Sequence, residues 1–92
     1  MTAEEIERCR AELAELRRRP ANAKRPEIEA LALLVGYEFK PKSGGEPRYE
    51  KKGRYPLFIP RHRTINKYTL IGILNRLEDD LEREEEEATR GN

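Results

Sequence analysis

All six prolines of this 92-residue chain fall between residues 20 and 60, at Pro20, Pro26, Pro41, Pro47, Pro56 and Pro60. Proline removes a backbone donor and clashes with the preceding helical turn, so this stretch is restricted to short elements separated by turns. Long helices belong to the two flanks. On the first flank, Thr2-Ala3-Glu4-Glu5 has the spacing of a capping box, which starts a helix at Thr2. Its apolar residues Ile6, Cys9, Leu13 and Leu16 recur at helical intervals as one narrow stripe, and Pro20 ends it. So thin a stripe predicts an accessory helix over residues 1–19, an appendage to the core or a surface for a second copy of the chain. Cys9 reads there as a small buried hydrophobe.

Pro26 suits the first turn of a second helix, where its missing N–H has no cost, and Gly36 suits the left-handed cap that closes it. Ile28, Leu31, Ala32, Leu34 and Val35 give this helix a wider apolar face, which places it in the core. The period then changes to two. Tyr37 and Phe39 alternate with Glu38 and Lys40, a half-buried strand ending at Pro41. Lys42-Ser43-Gly44-Gly45-Glu46-Pro47 is turn chemistry, Arg48-Tyr49-Glu50-Lys51 reads as a second strand, and Lys52-Gly53-Arg54 turns into a third strand within 55–60. Pro56 and Pro60 cannot donate to a ladder, so that strand lies at an edge of the sheet or begins and ends at those prolines. Tyr37, Tyr49, Tyr55 and Phe58 are expected in the core.

The last helix opens near Thr64 to Asn66, both good N-caps, and runs through Leu70, Ile73, Leu74, Leu77 and Leu81. Beyond Leu81 nothing remains to pack. Residues 83–92 are therefore expected as an acidic solvated tail, either a helix extension or disordered. The predicted fold class is α+β: helices on one face of a three-stranded antiparallel sheet, with the extra N-terminal helix in front.

Composition sets the scale of this core. With 36% hydrophobic and 40% charged residues and no Trp, the chain makes one small domain of marginal stability. No apolar run approaches the roughly 18 residues of a membrane span, so a soluble, cytoplasmic protein is expected. One Cys and one His leave neither a disulfide framework nor a structural zinc site. No metal or other cofactor is expected.

The net charge of +1 conceals a segregation along the chain. Residues 40–63 carry eight positive and two negative side chains, and residues 78–92 carry two and eight. A basic centre suits phosphate, and Lys40, Lys42, Arg48, Lys51, Lys52, Arg54, Arg61, Arg63 and Lys67 are the candidate RNA-binding residues. Lys51, Lys52 and Arg54 fall at a hairpin tip, where replacement should leave the fold intact. The acidic segment repels nucleic acid, folds back as a mimic of it, or simply solubilises, and the last is expected.

Several segments in order carry a resemblance. Arg19-Pro20-Ala21-Asn22 precedes a helix with Glu27, Glu29 and Leu31; Gly36-Tyr37-Glu38-Phe39, Gly44-Gly45, Tyr49 and Leu57-Phe58-Ile59-Pro60-Arg61-His62 follow; Tyr68-Thr69-Leu70-Ile71-Gly72-Ile73-Leu74 closes the series. Over residues 19–81 the chain resembles the HicA-type toxins of bacterial toxin–antitoxin modules, small mRNA interferases with a fold like that of the double-stranded RNA-binding domain. The resemblance implies a HicA-like domain over residues 20–82, a metal-independent endoribonuclease activity, RNA as target and a HicB-type antitoxin as protein partner. It also implies a catalytic His in a Gly-Ser-His motif at the second strand, where this chain has Gly44-Gly45-Glu46.

A general base for a 2′-hydroxyl works best with a pKa near the working pH. Neighbouring cations hold a carboxylate ionised, which makes Glu46 a poor substitute for that His. His62, between Arg61 and Arg63, is the other candidate catalytic residue, with the two Arg available to stabilise developing charge. The alternative to an active toxin is a non-catalytic RNA-binding or protein-interaction module of the same fold, and a third reading is a small interaction module that uses the first helix as its dimer surface.

Overall fold

The computed structural model describes residues 1–21, 23–41, 48–61 and 64–90. Helix α1 spans Ala3–Arg18, α2 Arg25–Val35, and α3 Lys67–Arg90; strands β1 Glu38–Lys40, β2 Arg48–Glu50 and β3 Leu57–Phe58 lie between α2 and α3. The fold is α+β, with an antiparallel sheet in the order β1-β2-β3.

The helix ends follow local chemistry. The Thr2 hydroxyl accepts from the Glu5 amide at 3.1 Å while the Thr2 amide donates to the Glu5 carboxylate at 2.8 Å, closing the capping box. The Thr2 amide, and after it the Thr2 hydroxyl, holds the Glu5 carboxyl below its ordinary pKa. Pro26 stands in the first turn of α2, and Gly36 ends that helix at φ 115°, a conformation unstrained only for glycine. Asn66 Oδ1 accepts from the Tyr68 amide at 2.8 Å, so of the two candidate caps for α3 it is Asn66 that serves. Thr64 instead bridges to Lys24.

The narrow stripe of α1 is fully used. Cys9, Leu13 and Leu16 join one buried cluster with Ile28, Leu31 and Val35 of α2 and Leu70, Leu74, Leu77 and Leu81 of α3. Ion pairs flank the seams. Arg17 reaches Glu78 and Asn75 on α3, and Arg19 reaches Glu27 on α2 at 2.9 Å. The Cys9 thiol donates to the Leu34 carbonyl oxygen at 3.6 Å, and burial raises its pKa.

Register decides what the sheet presents. Phe39 lies opposite Tyr49, and Tyr49 opposite Leu57, so these three share the inner face. Tyr49 and Leu57 are in the core; Phe39 stands at the margin against the Tyr49 ring, centroids 5.3 Å apart. Glu38, Lys40, Arg48, Glu50 and Phe58 take the other face, where Glu38, Lys40 and Phe58 are exposed and Arg48 and Glu50 half-buried. Two aromatic expectations fail here: Tyr55 is 85% and Phe58 51% exposed. A two-residue β3 has too little alternation to fix its facing from sequence, and pairing with Arg48 turns Phe58 outward while Leu57 goes in.

Beyond Leu81 α3 continues as helix to Arg90, the helix extension of the two forms expected for the acidic segment, with residues 85–90 exposed. Its acidic run is not uniformly solvated, since Asp80 and Glu84 are drawn into contacts with the sheet side of the molecule. No helix is long and apolar enough to cross a membrane among the described residues.

Candidate nucleic-acid interface

The basic centre divides in two. Its first part turns inward. Arg54, just after the tight turn at Gly53 that follows β2, places Nε 2.9 Å from Asp80 Oδ1, with the Asp80 side chain only 3% exposed. Asp80 also accepts a hydrogen bond from the Tyr37 hydroxyl, and Arg76, one turn earlier on α3, donates to the Pro56 carbonyl oxygen at 2.8 Å. Burial, then the Asp80 carboxylate, pushes the Tyr37 hydroxyl up to about 12.

Lys51 is similarly held. Its Nζ donates to the Val35 carbonyl oxygen at the end of α2 and to Glu84 Oε1 on α3, each at 2.9 Å, and its side chain is 13% exposed. The ammonium satisfies a carbonyl that the helix leaves without a partner and sits at the negative end of the α2 dipole. Hydrogen bonding to Lys51 lowers the Glu84 carboxyl below its ordinary pKa. The Lys51 stem crosses over Gly36, where a Cβ would come within 3.3 Å of Lys51 Cε.

Lys51 and Arg54 are thus structural cations, neutralised by the acidic part of α3. Their expected replacement without loss of fold is corrected accordingly: each charge is tied to a carboxylate far along the chain. The sequence signal for this was present but faint. Leu77, Asp80, Leu81 and Glu84 continue the helical stripe begun by Leu70 and Ile73, so acids on that stripe face the protein and require partners.

The second part of the basic centre faces water. Lys40 and Arg48 occupy the outer sheet face, each beside the acid two residues away on its own strand: Lys40–Glu38 at 3.2 Å and Arg48–Glu50 at 3.0 Å. Lys52 and Lys67 are exposed and make no ion pair among the described residues. Arg61 is exposed just past β3, and its carbonyl oxygen accepts from Arg25 Nη1 at 3.4 Å. Arg25 is itself paired with Glu29, and that glutamate, after burial, helps push the Tyr49 hydroxyl up to about 12.

The two candidate catalytic residues, His62 and Glu46, and the RNA-binding candidates Lys42 and Arg63 lie outside the described residues. No cluster of three or more His, Cys, Asp or Glu arranged to hold a metal ion occurs among the described residues. What the arrangement offers is an open, charged sheet face backed by a rigid helical layer. No protein-family model, curated protein or solved structure matches the chain.

Proposed function

We propose that this chain is a HicA-like RNA-acting protein, the toxin component of a bacterial toxin–antitoxin pair in the cytoplasm, with a HicB-type antitoxin as its partner and with ribonuclease activity weak or lost. The observation that carries the reading is the basic outer face of the sheet, with exposed Lys40 and half-buried Arg48 on it and Lys52 and Arg61 exposed shortly after β2 and β3. Such a surface meets phosphates without a sequence-reading motif. The order from α2 to α3, helix, three antiparallel strands, helix, is also the order the resemblance implies.

Weak or absent cleavage follows from residue chemistry. A glutamate in a basic neighbourhood stays ionised at neutral pH and is a weak base toward a 2′-hydroxyl, so Gly44-Gly45-Glu46 does not replace a Gly-Ser-His. Residual activity then runs through His62 as acid or base, with Arg61 or Arg63 stabilising charge.

End-labelled RNA incubated with the natural chain, His62→Ala and Glu46→His tests the reading. The natural chain should bind RNA with an affinity that falls steeply with salt and cut it slowly or not at all. His62→Ala should lower any cleavage by about 10²-fold or more with binding unchanged, and Glu46→His should raise it. Salt-independent binding, or robust cleavage indifferent to both substitutions, overturns the proposal.

A further inference from the structure

The outer sheet face is ordered by row. Lys40 lies directly opposite Arg48, and Arg48 directly opposite Phe58, so one row across all three strands reads cation, cation, aromatic. The row beside it sets Glu38 opposite Glu50. Like charges directly opposite each other on a sheet are unfavourable. The in-strand pairs Lys40–Glu38 and Arg48–Glu50 offset this only in part, because their side chains remain 32–74% exposed and are screened by water. Arg48 Nε itself is buried and lies 3.0 Å from the Glu50 carboxylate, while the Arg48 side chain as a whole stays 32% exposed. Phe58 is 51% exposed, in a chain with only two Phe and no Trp to fill its core.

We infer that the row Lys40–Arg48–Phe58 is a nucleotide subsite for single-stranded RNA, in which a phosphate lies across Lys40 and Arg48 and the adjoining base stacks on the Phe58 ring. The inference rests on the proposed RNA reading and adds to it the strandedness of the target and the residues that select it. Opposite residues on neighbouring strands have Cβ atoms about 5 Å apart, so a cation and an aromatic on one row are spaced to take a phosphate and a base of the same strand. A base paired inside a duplex cannot present its face to Phe58. The surface thereby distinguishes unpaired from paired RNA. A phosphate held there competes with Glu38 and Glu50 for the two cations, which makes the site weak without the ring and dependent on salt.

The absence of native Trp supplies the probe. In a Phe58→Trp variant the single indole should be quenched by a short unstructured oligoribonucleotide, and quenching should fade as salt rises. Phe58→Ala should weaken binding of that oligonucleotide at least fivefold, Phe58→Tyr should restore most of it, and the affinity for a blunt duplex of matching sequence should be unchanged in both. Lys40→Gln should weaken single-strand binding and reduce its salt dependence by about one phosphate contact. Phe58 is on the open face, so circular dichroism should be the same for all variants. Tight duplex binding with no indole quenching by the single strand overturns this inference while leaving the RNA reading standing. Failure to bind either RNA overturns both.

Discussion

Two sets of ion pairs in this molecule draw their lysines and arginines from one short stretch of the chain, residues 40–54, yet they do opposite work. Around Tyr37, the pairs Arg54–Asp80 and Lys51–Glu84 have side chains 3–17% exposed and bind β2 and the turn after it to α3. On the outer sheet face, Lys40–Glu38 and Arg48–Glu50 are 32–74% exposed and join residues of one strand. A buried charge is costly unless paired, so each buried partner holds the other in place and with it two distant elements. An exposed pair is worth little and its members are free to change partners. Depth, and not the local density of charge in the sequence, separates the cations that build this fold from those available to a ligand.

The sharpest way to break the comparison is to remove one buried acid. Asp80→Ala leaves the Arg54 guanidinium without its counter-charge and the Tyr37 hydroxyl without its acceptor, which should cost about 3–5 kcal/mol of stability. For a domain of this size that approaches complete unfolding, and urea denaturation with circular dichroism measures it. Glu38→Ala, the same deletion on the exposed face, should change the urea midpoint by an amount equivalent to less than about 1 kcal/mol. Equal effects at the two positions would show that burial does not divide the pairs.

A smaller effect is expected from alkali, and it tests the buried region alone. Tyr37 and Tyr49 titrate at about 12 in the folded protein against an ordinary value near 10. Raised values mean that their stabilising contribution is complete below pH 10 and is lost as pH rises from 10 through 12. Thermal midpoints should accordingly be flat from pH 7 to 9 and fall above pH 10, and Tyr37→Phe should make that fall shallower.

A local effect, well below that of Asp80→Ala, comes at Gly36, where backbone and charge meet. Gly36→Ala forces a side chain into φ 115° and presses on the Lys51 stem, a combined cost of about 1–2 kcal/mol. Lys51→Met in the same background should absorb part of that cost, since the apolar chain can shift away. Additive losses in the double variant, read from denaturation midpoints, would show that Gly36 and Lys51 are not coupled.

Local signals were enough for most of the fold. The Thr2 capping box, Pro26 and Gly36 at the two ends of α2 and the Asn66 cap each act within a few residues of themselves, and each is where the sequence places it, whereas the strand before Pro41 forms but is exposed along its length rather than half-buried. The α+β class follows from their order. What the sequence hides is long-range pairing. Glu84 reads as one acid in a run of acids, and only the folded chain shows that it meets Lys51 while Glu82, Glu86 and Glu87 face water. Tyr55 and Phe58 were misplaced for a related reason: aromatic content argues for a core, but a strand of two residues takes its facing from its neighbour. Of the seven basic candidates among the described residues, Lys51 and Arg54 are claimed by the fold, a division that no count of charge along the chain can make.

Lys51 also bears on how the chain comes together. Its ammonium is shared by the end of α2 and the acidic half of α3, while its backbone leaves β2 and enters the turn toward β3. Three elements distant in sequence are therefore completed at one atom, and none of them gains that contact until the other two have arrived. Contacts of that range are closed late, after the entropy of the intervening loops has been lost. The two helices on either side of the sheet segment are thus joined through the sheet, and α3 has a natural division at Glu84: the turns before it carry the buried contacts, while those after it are exposed and tied back only at their start, by Glu85 to Arg10 among the described residues.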